Sequence, residues 1–121
     1  MSADYRIDAE RRVIFSSASG VLTDADLHEH QARLRADPSF DRSFDQLWDF
    51  TQVSQVEVSS KALRQLAGSR SYDASARRAV VASDDLGFGM GRMFQMLHDQ
   101  APEELQVFRS LDDARRWLSL D

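Results

Sequence analysis

Apolar and polar residues alternate at the start of the chain, as in strands that bury one face. Tyr5 and Ile7 alternate with polar neighbours, a polar run covers residues 8–12, and residues 13–22 resume with β-branched and aromatic side chains. This pattern predicts two strands joined by a turn. We expect Gly20 to mark a bulge or a close approach near the end of the second strand.

Two helices are predicted from their end signals. Thr23 and Asp26 have the spacing of a capping box in its aspartate variant, and that helix must end before Pro38. Ser59 or Ser60 begins the second helix, which ends at Gly68.

A third helix is predicted over residues 84–97, "DDLGFGMGRMFQML". At about 100° per residue, its apolar side chains form a stripe about 100° wide, which is typical of a face that packs on a core. The stripe comprises Leu86, Met90, Met93, Phe94 and Leu97. Phe88 lies about opposite this stripe and Met96 about 100° from it, so both are expected at the surface.

A fourth helix begins with the capping pair Ser110 and Asp113, and its inward side chains are expected to be Leu111, Ala114, Trp117 and Leu118. Apolar runs between the helices predict a short buried strand at residues 44–50, a strand at 77–83 and a last strand at 105–109. Residues 51–58 show no strong period and are expected to be a connection.

The resulting order of elements is ββαβαβαβα. It predicts one α/β domain over residues 1–121, with a mixed, mostly parallel sheet of about five strands and four main helices. The apolar run in residues 77–83 indicates a central parallel strand that is buried on both faces.

Composition narrows the class of function. The net charge of −5 argues against a nucleic-acid partner, because binding to the phosphate backbone requires clustered cationic side chains. The absence of cysteine fits a reducing compartment. No apolar run resembles a signal peptide or reaches the 18 residues of a membrane span. We therefore expect a cytoplasmic protein without a transmembrane segment.

The glycines at positions 87, 89 and 91 do not form a nucleotide-binding motif. Their spacing is G-x-G-x-G, whereas the dinucleotide fingerprint is G-x-G-x-x-G, and the single lysine, Lys61, is elsewhere. Two interpretations stay open. Gly87 and Gly91 can form a smooth strip for close packing, or the free amides of the helix start, with Arg92 nearby, can hold an anion.

No set of residues indicates catalysis or metal binding. His28 and His30 lie about 200° apart on a helix and cannot chelate one metal, and His98 is distant in sequence. We expect these histidines to be solvated or capping. There is no cysteine nucleophile and no G-x-S-x-G elbow. The sequence therefore predicts no enzyme, no catalytic residue, no metal and no cofactor.

A resemblance to STAS domains is carried by "LWDFTQVSQVEVSSKALRQLA". Asp49, Phe50, Thr51 and Val53 fall on the first part of the family's motif, and residues 57–59 fall where it has aspartate-serine-serine. The segments "GVLTDADLHEH", "DPSFD", "FGMGRMF" and "VFRSLDDARRWL" look like those of uncharacterised bacterial STAS/SEC14-type proteins, similar to the SpoIIAA-like group.

The resemblance implies a regulatory protein-interaction module. In STAS anti-sigma-factor antagonists a partner kinase phosphorylates a serine at the start of the second helix, and the nearest candidates here are Ser59 and Ser60. Val58 replaces the first serine of the motif and Ser60 stands where glycine would be, so a plain helix cap is the alternative role of Ser59. The SEC14 side of the resemblance implies the second hypothesis, a carrier of a small ligand or lipid.

Two candidate sites follow. A shallow ligand cleft is expected at the carboxyl ends of the parallel strands, rimmed by Thr51, Ser59, Gly87, Phe88 and Arg92. A contact surface for a regulatory partner or a second copy is expected on the third helix, formed by Phe88, Gly87, Gly91 and Met96.

Overall fold

A five-stranded sheet forms the centre of the structure, a computed structural model that describes residues 3–120. The strands lie side by side in chain order, the first antiparallel to the second and the remaining pairs parallel. They are β1 (Ala3–Asp8), β2 (Val13–Thr23), β3 (Asp45–Glu57), β4 (Arg77–Val81) and β5 (Glu104–Phe108). The strand β4 lies between β3 and β5 with a buried apolar run, so the predicted central parallel strand is confirmed.

Four helices cover the sheet. They are α1 (Asp24–Ala36), α2 (Ser60–Ala67), α3 (Asp85–Leu97) and α4 (Leu111–Trp117). The first three pack on the face that carries Trp48 and Val80, whereas α4 packs on the opposite face against Leu47 and Val81. The α/β class, the order ββαβαβαβα and the mixed, mostly parallel sheet are therefore confirmed.

The predicted helix caps are formed. Thr23 Oγ1 accepts a hydrogen bond from the Asp26 amide at 3.2 Å, and the Thr23 amide donates to Asp26 Oδ2 at 3.0 Å. Ser110 Oγ accepts from the Asp113 amide at 3.4 Å. Each side chain satisfies a backbone N–H that the first helical turn leaves without an intrahelical partner.

The strand β3 is longer than its apolar pattern indicates. Residues 51–57, expected to be a connection, continue the strand and pair with the second half of β2. The long edge of β2 supplies hydrogen-bond partners to this polar stretch, so it needs no apolar period to be a strand. The register shifts at Gly20, whose φ is +68°, which confirms the predicted irregularity there.

The helix α3 is turned differently from its apolar pattern. Leu86, Met93 and Leu97 are exposed, so the prediction of a core-facing stripe is wrong for these three residues. Met90 and Phe94 of the predicted stripe are half-buried against the core, as expected. The closest packing is through Gly87 and Gly91, which are buried. Close approach of the helix to β4 and β5 decides this orientation, because only a face without side chains lets the backbone come so near.

A similar difference occurs at the start of α4. Leu111 was predicted to point inward but is 37% exposed, whereas Ala114 and Leu118 are buried as expected. Trp117 is half-buried against Phe108 and packs on the cluster formed with Leu47.

Candidate functional site

A small cavity lies between α1, α2, α3 and the sheet. Its volume is about 70 Å³, well below the roughly 300–1,000 Å³ of sites for drug-sized ligands. The apolar part of its wall includes Leu27, Trp48, Phe50, Leu63 and Val80. The polar part includes His30, Gln46, Tyr72 and Arg78.

The alternation of side chains along β3 and β4 determines which residues line the cavity. Gln46, Trp48 and Phe50 are two residues apart on β3, so their side chains point to the same face. Trp48 and Phe50 are stacked with ring centroids 4.4 Å apart and an interplanar angle of 11°. Arg78 and Val80 share this face from β4, where they pair with Gln46 and Trp48.

A chain of polar side chains passes beside the cavity. His30 Nε2 lies 2.8 Å from Ser16 Oγ, which also accepts a hydrogen bond from Gln46 Nε2 at 3.0 Å. Gln46 Oε1 in turn accepts from Arg78 Nε at 3.0 Å. Because His30, Ser16 and Gln46 are buried, this network satisfies groups that would otherwise be costly to remove from water.

The network continues into an ion pair under α3. Arg78 Nη1 lies 3.3 Å from Glu103 Oε2, and His98 Nε2 lies 2.9 Å from the same oxygen. Burial raises the pKa of Glu103, but the hydrogen bonds from His98 and from its own backbone amide, together with the charge of Arg78, more than offset this effect, so the net pKa is lowered. The charge of Arg78 is thus opposed by that of Glu103.

Two other buried groups are uncharged at neutral pH. Burial, aided by the positive charges of Arg33 and Arg78, lowers the pKa of His30 to about 4. Burial likewise raises the pKa of Tyr72 to about 12. The polar wall of the cavity therefore carries a neutral imidazole, a neutral phenol and a guanidinium paired with a carboxylate, and the exposed Arg35 lies at its edge.

Ser16 and His30 have the separation of a nucleophile and its general base. Their environment does not suit that chemistry. Ser16 is buried, and its hydroxyl oxygen accepts a hydrogen bond from Gln46. It is not one of the residues that line the cavity in the described part of the chain. This arrangement supports a structural role for the pair.

The residues predicted to rim a ligand cleft lie on β3, at the start of α2 and on α3. Thr51 is half-buried on β3 and its hydroxyl donates to Asp49 Oδ1 at 2.6 Å. Gly87 is buried, and the cap Asp84 Oδ1 accepts from its amide at 2.6 Å. Ser59 and Arg92 are exposed. None of these residues, nor Phe88, lines the cavity in the described part of the chain.

Ser59 is placed as the N-cap of α2. Its Oγ accepts from the Ala62 amide at 3.1 Å and donates to Asp24 Oδ2 at 2.7 Å. Its amide donates to Asp24 Oδ1 at 2.7 Å, and these hydrogen bonds lower the pKa of Asp24. Ser60, the first residue of the helix, is exposed.

The packing of α3 leaves some residues of the predicted contact surface exposed and buries others. Met96 is exposed, as expected. Phe88 is half-buried against the core, with the Arg109 guanidinium 4.2 Å above its ring. Gly87 and Gly91 face the sheet and are closed to a partner, which corrects their inclusion in that surface. Of the two open interpretations, the glycine strip serves close packing.

The main feature missed in the sequence is the role of the histidines. His30 and His98 were expected to be solvated or capping, but both side chains are buried, although His98 occupies the C-cap position of α3. One signal was available for His30. It lies three residues after Leu27 and four before Leu34, on the buried face of α1.

Within residues 3–120 no three histidine, cysteine or acidic side chains are grouped so as to hold a metal ion. In the same range, none of the helices has both the length and the apolar character needed to cross a bilayer.

The fold is similar to that of a known structure. No protein-family model matches the chain, and no curated protein matches it. The chain is 20% identical in sequence to an uncharacterised protein of the DUF3478 family from Shewanella loihica PV-4. The crystal structure of that protein is described as having a SpoIIAA-like fold. The similarity covers 97% of this chain and 94% of that one, with a TM-score of 0.63. The chain therefore has a SpoIIAA-like, STAS-like α/β fold.

Proposed function

We propose that this protein is a non-catalytic regulatory module that binds a partner protein through the outward face of α3. The observation that supports this most is a set of large apolar side chains on that face. Leu86 is 65% exposed, Met93 46%, Met96 75% and Leu97 38%.

These four side chains form one surface. At about 100° per residue they lie within an arc of about 100° on the helix. Isolated exposed apolar residues are ordinary on soluble proteins, but contiguous ones mark sites where proteins meet. The helix already packs on the sheet through its buried glycine face. Packing within the monomer therefore does not explain why the outward face is also apolar. Methionine side chains adapt readily to the shape of a partner.

The buried polar groups support a role without catalysis. Ser16 links His30 to Gln46, and Gln46 Oε1 accepts a hydrogen bond from Arg78. This arrangement stabilises the interior and, among residues 3–120, leaves no activated nucleophile beside the cavity. The proposal places the module in the cytoplasm, in agreement with its lack of cysteine.

The volume of the cavity bears on the alternative, a lipid carrier of the SEC14 type. A site that buries a drug-sized ligand has roughly 300 Å³ or more, whereas this cavity has about 70 Å³. An acyl chain does not fit in that space, so the dimensions favour the partner-binding module.

Acidic substitutions on α3 test the proposal. In Met93→Glu/Met96→Glu, two charges on the apolar face should abolish association, because a buried unpaired charge is costly at an interface. Leu111→Glu is the matched control, since it also places an acid at an exposed apolar helical position, on the opposite face of the sheet.

Sedimentation velocity would reveal self-association, and quantitative affinity purification from the source organism would reveal another protein partner. We expect the α3 variant to lose the complex and the Leu111 variant to keep it, with unchanged circular dichroism in both. A complex that survives in the α3 variant, or a wild-type protein without any complex, would overturn the proposal.

A further inference from the structure

A groove lies on the face of the sheet that carries α4, opposite the face on which α3 packs. Its volume is about 340 Å³, within the roughly 300–1,000 Å³ of small-ligand sites. Its lining includes two acids, Asp4 and Asp49, and two cations, Arg6 and Arg115. We propose that this groove binds a short peptide of about dipeptide size that carries both a free ammonium and a free carboxylate.

The groove exists because α4 covers only part of this face of the sheet. The helix packs mainly on β3, β4 and β5, and among residues 3–120 the other three helices pack on the opposite face. Leu111 and Arg115, one helical turn apart, form one wall of the groove. Arg6, Phe15 and Ser17 belong to its floor on β1 and β2.

The register of the sheet determines how far apart the charged groups lie. Asp4, Ser17 and Asp49 are neighbours across β1, β2 and β3, and Arg6 is paired with Phe15 in the next row on this face. At about 4.8 Å between strands and about 3.3 Å per residue, the Cα atoms of Arg6 and Asp49 are roughly 12 Å apart. An extended dipeptide spans roughly 7 Å, and the two side chains can cover the remaining distance.

Asp49 provides an oriented carboxylate for the ammonium group. Its Oδ1 accepts hydrogen bonds from the Thr51 amide at 2.8 Å and from the Thr51 hydroxyl at 2.6 Å. Asp49 is half-buried, and it forms no ion pair with a cation of residues 3–120. A carboxylate that is partly removed from water is stabilised by an opposite charge on a ligand.

Arg6 provides the guanidinium for the carboxylate of the peptide. Its Cζ atom lies 4.4 Å from the centroid of the Phe15 ring, a contact that orients the group. Arg11 also lies over this ring, but its Nε is paired with Asp8 Oδ2 at 2.9 Å. Arg6 forms no ion pair within the described part of the chain. A guanidinium can bind a carboxylate through two parallel hydrogen bonds.

The remaining features of the groove favour a zwitterion with an apolar side chain. The lining carries equal numbers of acids and cations, so a ligand with one charge of each sign is complementary to it. Leu111 is 37% exposed although it lies beside the buried Leu47 and the half-buried Phe15 in the lining. An apolar side chain of the peptide would remove this surface from water.

Binding of alanyl-leucine to the full chain tests the proposal. Its N-acetyl form lacks the ammonium, and its C-terminal amide lacks the carboxylate. In ¹H–¹⁵N NMR titrations of the wild-type protein, we expect saturable shifts centred on residues 4–6, 15–17, 49 and 111. Alanyl-leucine should bind about fivefold more tightly than either blocked form, near the upper end for a partly exposed ion pair.

Two variants assign the charges to their partners. Asp49→Asn should bind alanyl-leucine and its N-acetyl form equally, while it still prefers the free carboxylate to the amide. Arg6→Gln should show the converse. Both variants should fold normally, because an asparagine oxygen can still accept from Thr51 and because Arg6 forms no ion pair in the described residues.

Asp99→Asn and Arg64→Gln are the matched controls, since both positions are exposed and lie outside the lining of the groove. They should keep both preferences of the wild-type protein. The proposal is overturned by any of three results: no saturable binding of alanyl-leucine to the wild-type protein, blocked forms that bind as tightly as the free dipeptide, or unchanged preferences in Asp49→Asn and Arg6→Gln.

Discussion

The Cβ atom that Gly91 lacks would lie 2.9 Å from Cγ1 of Val107. This distance is shorter than ordinary van der Waals contact, so the helix α3 can sit where it does only because position 91 has no side chain. The same approach turns Leu86, Met93 and Leu97 away from the sheet. The packing of one glycine thus creates the apolar outer face that we propose as the binding surface.

Alanine substitutions at two glycines of α3 test this packing. Gly91→Ala should lower the free energy of unfolding by about 1–2 kcal/mol, because overpacking against a stiff β-branched side chain outweighs the gain in helix propensity. Gly89→Ala is the matched control. A Cβ at position 89 meets nothing within 4 Å, so the substitution should stabilise by about 0.5–1 kcal/mol.

Urea denaturation of both variants provides the measurement. The cost of Gly91→Ala should shrink when Val107 is also changed to alanine, since that removes the methyl group in contact. Equal stabilisation by both glycine substitutions would contradict the close approach of α3 to β5.

The buried His30 should make stability depend on pH. Its pKa in the folded protein, about 4, is below the ordinary value of 6.5. The unfolded chain therefore binds the proton first as pH falls. The stabilisation is fully present above about pH 6.5 and is lost progressively towards pH 4, by roughly 3 kcal/mol at about 1.4 kcal/mol per unit.

Denaturation curves of two histidine variants isolate this effect. His30→Gln should show a flatter dependence of unfolding free energy on pH between 6.5 and 4. His28→Gln, at an exposed position of the same helix, should follow the wild-type curve. If the His30 variant also follows that curve, the histidine is not the group that titrates.

Ser59 is expected to act as a helix cap. Ser59→Ala removes the hydrogen bonds to the Ala62 amide and the Asp24 carboxylate and should lower the free energy of unfolding by about 0.5–2 kcal/mol without changing partner binding. Ser60→Ala should have a much smaller effect, because Ser60 is the first helical residue and not the cap.

Phosphorylation is the competing hypothesis for this residue. A phosphate on Ser59 would lie beside the Asp24 carboxylate, and like charges at that distance repel. We therefore expect mass spectrometry to find no phosphate on Ser59 after incubation with a kinase-containing extract of the source organism. A phosphate there that is absent from Ser59→Ala would support the regulatory role implied by the STAS resemblance.

Local patterns were sufficient for the main elements of the fold. The alternation around Tyr5 and Ile7, the capping pair Thr23 and Asp26, and the apolar run in β4 each act over a few residues, so their consequences can be read in order along the chain. The order of elements then leaves few topologies, since crossovers between parallel strands are right-handed.

The sites depended on contacts between distant residues. A periodic apolar stripe indicates that one face of α3 packs against another surface. It does not indicate whether that surface belongs to the sheet or to another molecule. The space beside Val107 decided that the glycines face the sheet.

The sequence by itself determined the α/β class, the helix ends and the buried central strand, because those follow from local periodicity and capping. Only the tertiary structure decided that α3 exposes part of its apolar stripe, that His30 is buried against Trp48, and that Tyr72 lines a cavity. These features depend on the shapes of side chains 16 or more positions apart, such as Gly91 and Val107 or His30 and Trp48. Such residues meet only when the sheet is assembled, and no local pattern records their fit.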